Sequence, residues 1–350
     1  MSVRIQVLVV DDSALMRKLI SDLLESDPRI EVMDTARDGH EAVEKVANLH
    51  PDVVTMDIEM PRMSGLDALA RIMSQNPTPV VMLTGLTDPR MAIEALEKGA
   101  VDFVVKPSGT ISVDVYKVRQ ELIEKVKLAT LMNLRKITPQ VKPSALPPLK
   151  APSRPSGGRA VVVGASAGGP RTLGYLLGRL PARLPAPVLV VQHMPSGFTH
   201  SFAERLNQHS SLAVKEAEEG NVVRPGQAYI APGDHHMLVE KQTSRKIIRL
   251  DQSPRVKGLR PSADVTMSSV AEAYGAGSIG VILTGMGSDG TDGFKAIKEQ
   301  GGITIAQDKA TSVIYGMPRA AVKSGRVDKV LPLDEIPGEI VRILAERDHD

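Results

Sequence analysis

Ala160-Val161-Val162-Val163-Gly164-Ala165-Ser166-Ala167-Gly168-Gly169 is an apolar strand that runs straight into a serine set between glycines. An apolar run without alternation fits a strand buried on both faces, as in a parallel sheet. The flanking glycines let the chain turn sharply into a following helix. Two later segments repeat the pattern. Val188–Val191 leads into Gln192-His193, and Ile279–Leu283 leads into Thr284-Gly285-Met286-Gly287-Ser288-Asp289. All strand carboxyl ends of a parallel sheet lie on one edge, where ligands bind. Ser166, His193 and Asp289 can therefore meet although distant segments supply them.

Strand and helix patterns also alternate before this stretch. Ile5–Val10, Val32–Thr35, Val53–Met56, Val80–Leu83 and Phe103–Val105 read as strands. Helical spacing follows at Ala14–Glu25, Gly39–Asn48, Pro89–Lys98 and Val113–Met132. Five such units predict a doubly wound (βα)5 domain over residues 1–132. Six prolines between Thr138 and Gly158 predict an extended basic linker over 133–158. A second doubly wound, mostly parallel α/β domain is expected over 159–350. Within it, Ala213–Glu216, Ala228–Ala231, His236–Glu240 and Lys246–Leu250 suggest an antiparallel hairpin element joining the sheet. A last helix is expected near Leu333–Glu346.

With 43 basic and 41 acidic residues, the net charge of +2 speaks against a nucleic-acid partner. The chain has no Cys, which excludes disulfides and thiolate metal sites. Met1-Ser2-Val3-Arg4 enters a strand directly, and Val7–Val10 is too short for a signal segment or membrane span. A cytoplasmic monomer without membrane insertion is expected.

The strand ends of the first domain carry Asp11, Asp12, Asp57, Thr84 and Lys106. Three carboxylates at one edge repel each other, and an all-oxygen set suits Mg²⁺. With a lysine ammonium and a threonine hydroxyl beside them, they fit the charge of a phosphoryl group. Asp57 can attack a phosphoryl donor and form an aspartyl phosphate. Taken singly, Asp12-Ser13 and Thr87-Asp88 also fit helix N-caps.

Val9-Val10-Asp11-Asp12-Ser13, Met56-Asp57-Ile58-Glu59-Met60-Pro61, Leu83-Thr84 and Val105-Lys106-Pro107 resemble the receiver domain of two-component response regulators. The resemblance implies that Asp57 accepts phosphate from a histidine kinase, with Asp11 and Asp12 helping to hold Mg²⁺. It also implies that Thr84 senses the phosphate, that Lys106 pairs with it, and that Phe103 occupies an aromatic-switch position. A Phe before a Val-Val pair is equally an ordinary core residue.

Gly164-Ala165-Ser166-Ala167-Gly168 fits the G-x-S-x-G nucleophile elbow. The same glycine-rich turn could instead cradle a phosphate, though no P-loop Lys-[Ser/Thr] follows. Among eight histidines only His193 caps an apolar strand at that edge. Asp289 is the natural acid, while Asp292 suits the cap of the next helix. The order Ser, His, Asp disfavours an ordinary α/β-hydrolase, which places its acid before its histidine.

Gly164–Gly169, Val191-Gln192-His193-Met194-Pro195, Ala231-Pro232-Gly233, Leu283–Gly290 and Tyr315-Gly316-Met317-Pro318 together resemble the catalytic domain of the chemotaxis protein-glutamate methylesterase family. Ala167 stands where members often carry Thr. The resemblance implies hydrolysis of glutamate γ-methyl esters on chemoreceptors, with deamidation of receptor glutamines. It makes Ser166 the nucleophile, His193 the base and Asp289 its orienting acid, without a cofactor for hydrolysis. Amides at Ala167 and Met286 are the oxyanion candidates. The unphosphorylated first domain is expected to restrain the second. Rival outcomes are a non-catalytic partner-binding domain, an esterase for a small metabolite, and a nucleotide-binding output domain.

Overall fold

Strand β1 (Ile5–Val10) is buried along its last four residues, and its strand neighbours lie parallel on both sides. The computed structural model describes residues 4–85, 89–106, 113–132, 149–151, 158–243 and 245–346. The chain separates into two compact units, Met1–Thr138 and Pro139–Asp350. The expected 133–158 linker falls mostly outside the described residues, as does the Thr87-Asp88 cap.

The first unit adds α1 (Ala14–Glu25), β2 (Ile30–Ala36), α2 (Gly39–Leu49), β3 (Val53–Asp57), α3 (Gly65–Gln75), β4 (Val80–Thr84), α4 (Pro89–Lys98), β5 (Asp102–Val105) and α5 (Val113–Ala129). Its sheet runs β2-β1-β3-β4-β5, all parallel. β3 and β4 are buried throughout because helices cover both faces. Side-chain caps begin the first three helices: Ser13, Asp38 and Ser64 each accept an amide of the first turn. The strand order reverses between β1 and β3, so their carboxyl ends flank a crevice.

The second unit holds β6 (Ala160–Ala165), α6 (Gly169–Arg179), β7 (Val188–Gln192), α7 (Phe198–His209), β8 (Ala213–Glu216), β9 (Gln227–Ile230), β10 (His236–Lys241) and β11 (Lys246–Asp251). It continues with α8 (Ala263–Tyr274), β12 (Ser278–Ile282), α9 (Thr291–Glu299), β13 (Ile303–Gln307), α10 (Met317–Lys323), β14 (Lys329–Leu331) and α11 (Ile336–Ala345). Seven strands form one parallel sheet in the order β14-β13-β12-β6-β7-β9-β8. The chain builds outward from β6 through β7, then returns to β12 on the other side. The switch point therefore lies at β6.

The hairpin differs from its expected placement. β8 and β9 join the main sheet in parallel, whereas β10 and β11 pair antiparallel as a separate two-stranded sheet. β9 already has β7 and β8 on its two edges, so it offers the hairpin no free ladder. The hairpin packs instead on α8: Val239 N donates to Ser269 Oγ at 3.0 Å and Thr266 Oγ1 to Met237 O at 2.7 Å. Met267 and Val270 of α8 join Val162, Val191, Met237, Phe294 and Met317 in a hydrophobic core. Among the described residues no helix is long and apolar enough to cross a membrane.

Candidate active site

Register brings Ser166 and His193 to one edge of the sheet. Ala165 pairs with Gln192 across β6 and β7, so Ser166 and His193 are the next residues on adjacent strands. On the other side Ile282 pairs with Gly164, and Ser166 N donates to Thr284 O at 3.0 Å. Gly168 takes φ +76°, a left-handed conformation that turns the chain from Ser166 into α6. Thr284 Oγ1 donates to Ala167 O at 3.1 Å, tying this turn to the β12 loop. Buried Gln192 donates through Nε2 to the carbonyls of Ser166 and His193, at 3.0 and 3.1 Å.

His193 Nε2 lies 2.7 Å from Asp289 Oδ2. A carboxylate only accepts, so Nε2 carries a hydrogen, and in the neutral ring Nδ1 is the remaining base. Ser166 is half-buried, and its hydroxyl forms no hydrogen bond with His193 among the described residues. Asp289 is 1% exposed. Its Oδ1 accepts from Ser262 Oγ at 2.7 Å and Asp264 N at 3.1 Å, and its Oδ2 from Ala263 N at 2.6 Å. Burial alone would raise its pKa. The His193 ring, the Ser262 hydroxyl and the Ala263 amide outweigh burial and hold it well below the usual carboxylate range. The start of α8 thus grips an ionised carboxylate, as a helix N-terminus favours.

The α8 grip carries no site signal in the sequence, and Gln192 and Thr284 stand there only as members of the strand-end motifs, because their contacts join distant segments. Asp292 corrects a sequence expectation. Gly290 occupies the N-cap of α9, and Asp292 in the first turn pairs with Lys257 at 2.8 Å. The amides of Ala167 and Met286 donate to no acceptor among the described residues, and the Met286 side chain is 51% exposed.

Gly285 is a close-approach position. A Cβ there would lie 2.7 Å from Ser166 Cβ and 2.5 Å from Met317 Sδ. Gly285→Ala is expected to push Ser166 aside and lower kcat by about 10²-fold, the usual cost of ~1 Å misplacement. Overpacking should also cost about 1–3 kcal/mol of stability. Turnover and thermal melts of the variant check both.

The first unit's polar edge also assembles by register. Val10 pairs with Met56, placing Asp11 beside Asp57, and Thr84 pairs with Val105 just before Lys106. Lys106 Nζ bridges Asp11 Oδ2 at 2.7 Å and Asp57 Oδ2 at 2.6 Å. Burial pushes the Asp57 pKa up, helped by the Asp11 and Asp12 charges and opposed by Lys106. Burial pulls the Lys106 pKa down, but the two carboxylates more than reverse it, so it stands above its ordinary value. Carboxylate oxygens of Asp11, Asp12 and Asp57 lie within 4.8 Å of one another, a hard-oxygen set that fits Mg²⁺. Thr84 Oγ1 donates to Gly85 O at 3.0 Å, not to Asp57. Phe103 is buried in the core with Lys125 Nζ 5.4 Å from its ring centre. Ser13 is the α1 cap, so Asp12 is not; Asp12 stays exposed.

Residues 161–340 match the model of the CheB methylesterase family, and residues 7–113 that of the response regulator receiver domain. The chain is 50% identical over 348 residues to a protein of Geobacillus kaustophilus named protein-glutamate methylesterase/protein-glutamine glutaminase, covering 98% of this chain and 99% of that one. A Pyrococcus abyssi protein of the same name is 48% identical over 353 residues, covering 97% and 93%. The crystal structure of the Thermotoga maritima CheB methylesterase catalytic domain superposes with TM-score 0.53 and 47% identity, covering 53% of this chain and 99% of that one.

Proposed function

Because the chain belongs to the CheB methylesterase family, we propose that it is a phosphorylation-activated hydrolase of glutamate γ-methyl esters on chemoreceptors. By the same chemistry it deamidates receptor glutamines. The observation that carries this reading is the imidazole held by a buried, ionised carboxylate one strand away from Ser166.

Nδ1 of His193 is the free base, since Nε2 is bonded to Asp289. It takes the Ser166 proton as Oγ bonds to the ester carbonyl carbon. The amides of Ala167 and Met286 receive the developing oxyanion; one such donor is worth about 2.7–4 kcal/mol. Collapse expels methoxide, which leaves as methanol with the proton from His193. Water then clears the acyl-enzyme by the same route, releasing glutamate and restoring serine. For glutamine the leaving group is ammonia. Asp289 stays ionised throughout and keeps the ring in its working tautomer. Substrate binding brings the Ser166 hydroxyl onto Nδ1, as apo sites commonly leave such bonds unmade.

An Asp57 carboxylate oxygen bonds to the phosphorus of a kinase phosphohistidine or small donor as the donor's bond to phosphorus breaks, freeing the imidazole or the small donor's leaving group. Asp11, Asp12 and Asp57 would hold Mg²⁺, which would screen the phosphoryl oxygens. Lys106 follows the transferred group, and the Thr84 hydroxyl turns from Gly85 toward it. Swinging a restrained state from 1:99 to 99:1 needs about 5.5 kcal/mol, within reach of a few charge-assisted contacts. Removing residues 1–150 should therefore yield a domain that is active without phosphodonor. Equal or lower activity of the truncated protein contradicts restraint.

The test of the function is methanol release from methyl-labelled receptor membranes, with and without a small phosphodonor. Release that the donor raises is expected. Binding without methanol release would overturn the proposal.

A further inference from the structure

A buried polar chain runs behind the Asp289 carboxylate. His236, the first residue of β10, is fully buried. Its Nδ1 accepts the Ser262 amide at 3.2 Å, and its Nε2 lies 3.4 Å from Pro254 O. An amide only donates and a carbonyl only accepts, so these two partners define a neutral ring with its hydrogen on Nε2. Ser262 is fully buried as well. Its hydroxyl donates to Asp289 Oδ1, and the next two amides donate to the same carboxylate. Asp289 Oδ2 in turn meets His193 Nε2 at 2.7 Å.

We propose that His236 is a positioning residue of the hydrolytic site. It anchors the entry to α8, so that Ser262, Ala263 and Asp264 present three donors to Asp289 in one fixed geometry. The His193 ring then points its free Nδ1 along the sheet edge. His236 touches no substrate and transfers no proton. Its contribution passes through Ser262 to Asp289, because these are the hydrogen-bonded links between the two histidines. Without the Nδ1 acceptor, the Ser262 amide is left without its partner in a buried setting, and the first turn of α8 shifts to find another. The carboxylate moves with that turn.

This inference rests on Asp289 being the acid of the hydrolytic triad, and the experiment separates the two. In the full-length protein, methanol release would be measured for His236→Leu, His236→Asn, Ser262→Ala, Asp289→Asn and the double variant His236→Leu/Asp289→Asn. Rates are scaled to the folded fraction from thermal melts. Leu fills the space and removes the acceptor, and kcat should fall about 30–100-fold with KM within about twofold. Asn places Oδ1 where Nδ1 stood, so it should recover at least about a third of wild-type kcat. Ser262→Ala should lower kcat about tenfold. Adding His236→Leu to Asp289→Asn should cost less than about twofold more, because the path is already cut.

A general packing role predicts the opposite: the full Leu penalty multiplies the Asp289→Asn loss, and Asn rescues nothing. Either result overturns the proposal, as does a Leu variant within about threefold of wild type. If His236→Leu does not fold, Ser262→Ala and its double with Asp289→Asn decide by the same criterion. Wild-type kcat in Asp289→Asn would sink the triad itself. Loss there with a neutral His236→Leu would sink only this inference.

Discussion

Ser166→Ala is expected to lower kcat for receptor demethylation by about 10⁶-fold while KM stays within a few-fold, because the nucleophile of a triad carries the covalent step. Folding should be unaffected. The side chain is half-buried at the turn, and its hydroxyl makes no hydrogen bond among the described residues, so its removal leaves no stranded partner. Backbone contacts that shape the turn, Ser166 N to Thr284 O and Gly169 N to Ser166 O, survive the substitution. A residue of about 10³–10⁴ over the uncatalysed reaction should remain, supplied by binding and the oxyanion donors. Steady-state methanol release with a matched melting curve checks both halves. A variant that turns over near the wild-type rate would remove Ser166 from the chemistry.

Asp57→Asn should abolish phosphate uptake and, with it, all stimulation by a phosphodonor. The amide keeps the shape of the carboxyl group but is no nucleophile toward phosphorus. Basal ester hydrolysis should persist, since Ser166, His193 and Asp289 lie in the other compact unit. The substitution also relieves crowding among three carboxylates and leaves Lys106 its bond to Asp11, so the fold should hold. Radiolabelled phosphodonor, followed by cleavage of the acyl phosphate with hydroxylamine, reads the modification directly. Methanol release with and without the donor reads the consequence. Persistent label, or persistent stimulation, would place the phosphoacceptor elsewhere.

Much of this fold is legible in the sequence alone. Continuous Val and Ile runs point to buried parallel strands, and a polar residue after each apolar run marks the edge of the candidate site. That logic assigns Ser166, His193 and Asp289 to one edge without knowing strand order, because parallel strands share their carboxyl edge. It could not supply what depends on tertiary register. The grip of α8 on Asp289 joins segments 25 to 27 residues apart. Nothing local to Ser262 distinguishes it from an ordinary cap. The hairpin escaped for a similar reason: alternation identifies strands but not which edge remains open to receive them. The short α10 and β14 went unread because seven and three residues give too little periodicity. Sequence spacing assigns Asp292 to a helix cap, but Gly290 holds that position and Asp292 pairs with Lys257. The Thr84 hydroxyl shows a further limit, since its present partner is a backbone carbonyl that spacing does not reveal.

The central claim is that the serine at the β6 turn is made nucleophilic by the imidazole on the neighbouring strand. Treating the full-length protein with a fluorophosphonate and mapping the adduct by mass spectrometry tests it most directly. One adduct, on Ser166, is predicted, forming at least about 10²-fold more slowly in His193→Ala because general-base assistance is gone. An unlabelled Ser166 in a protein that still releases methanol, or labelling unaffected by loss of His193, would contradict it.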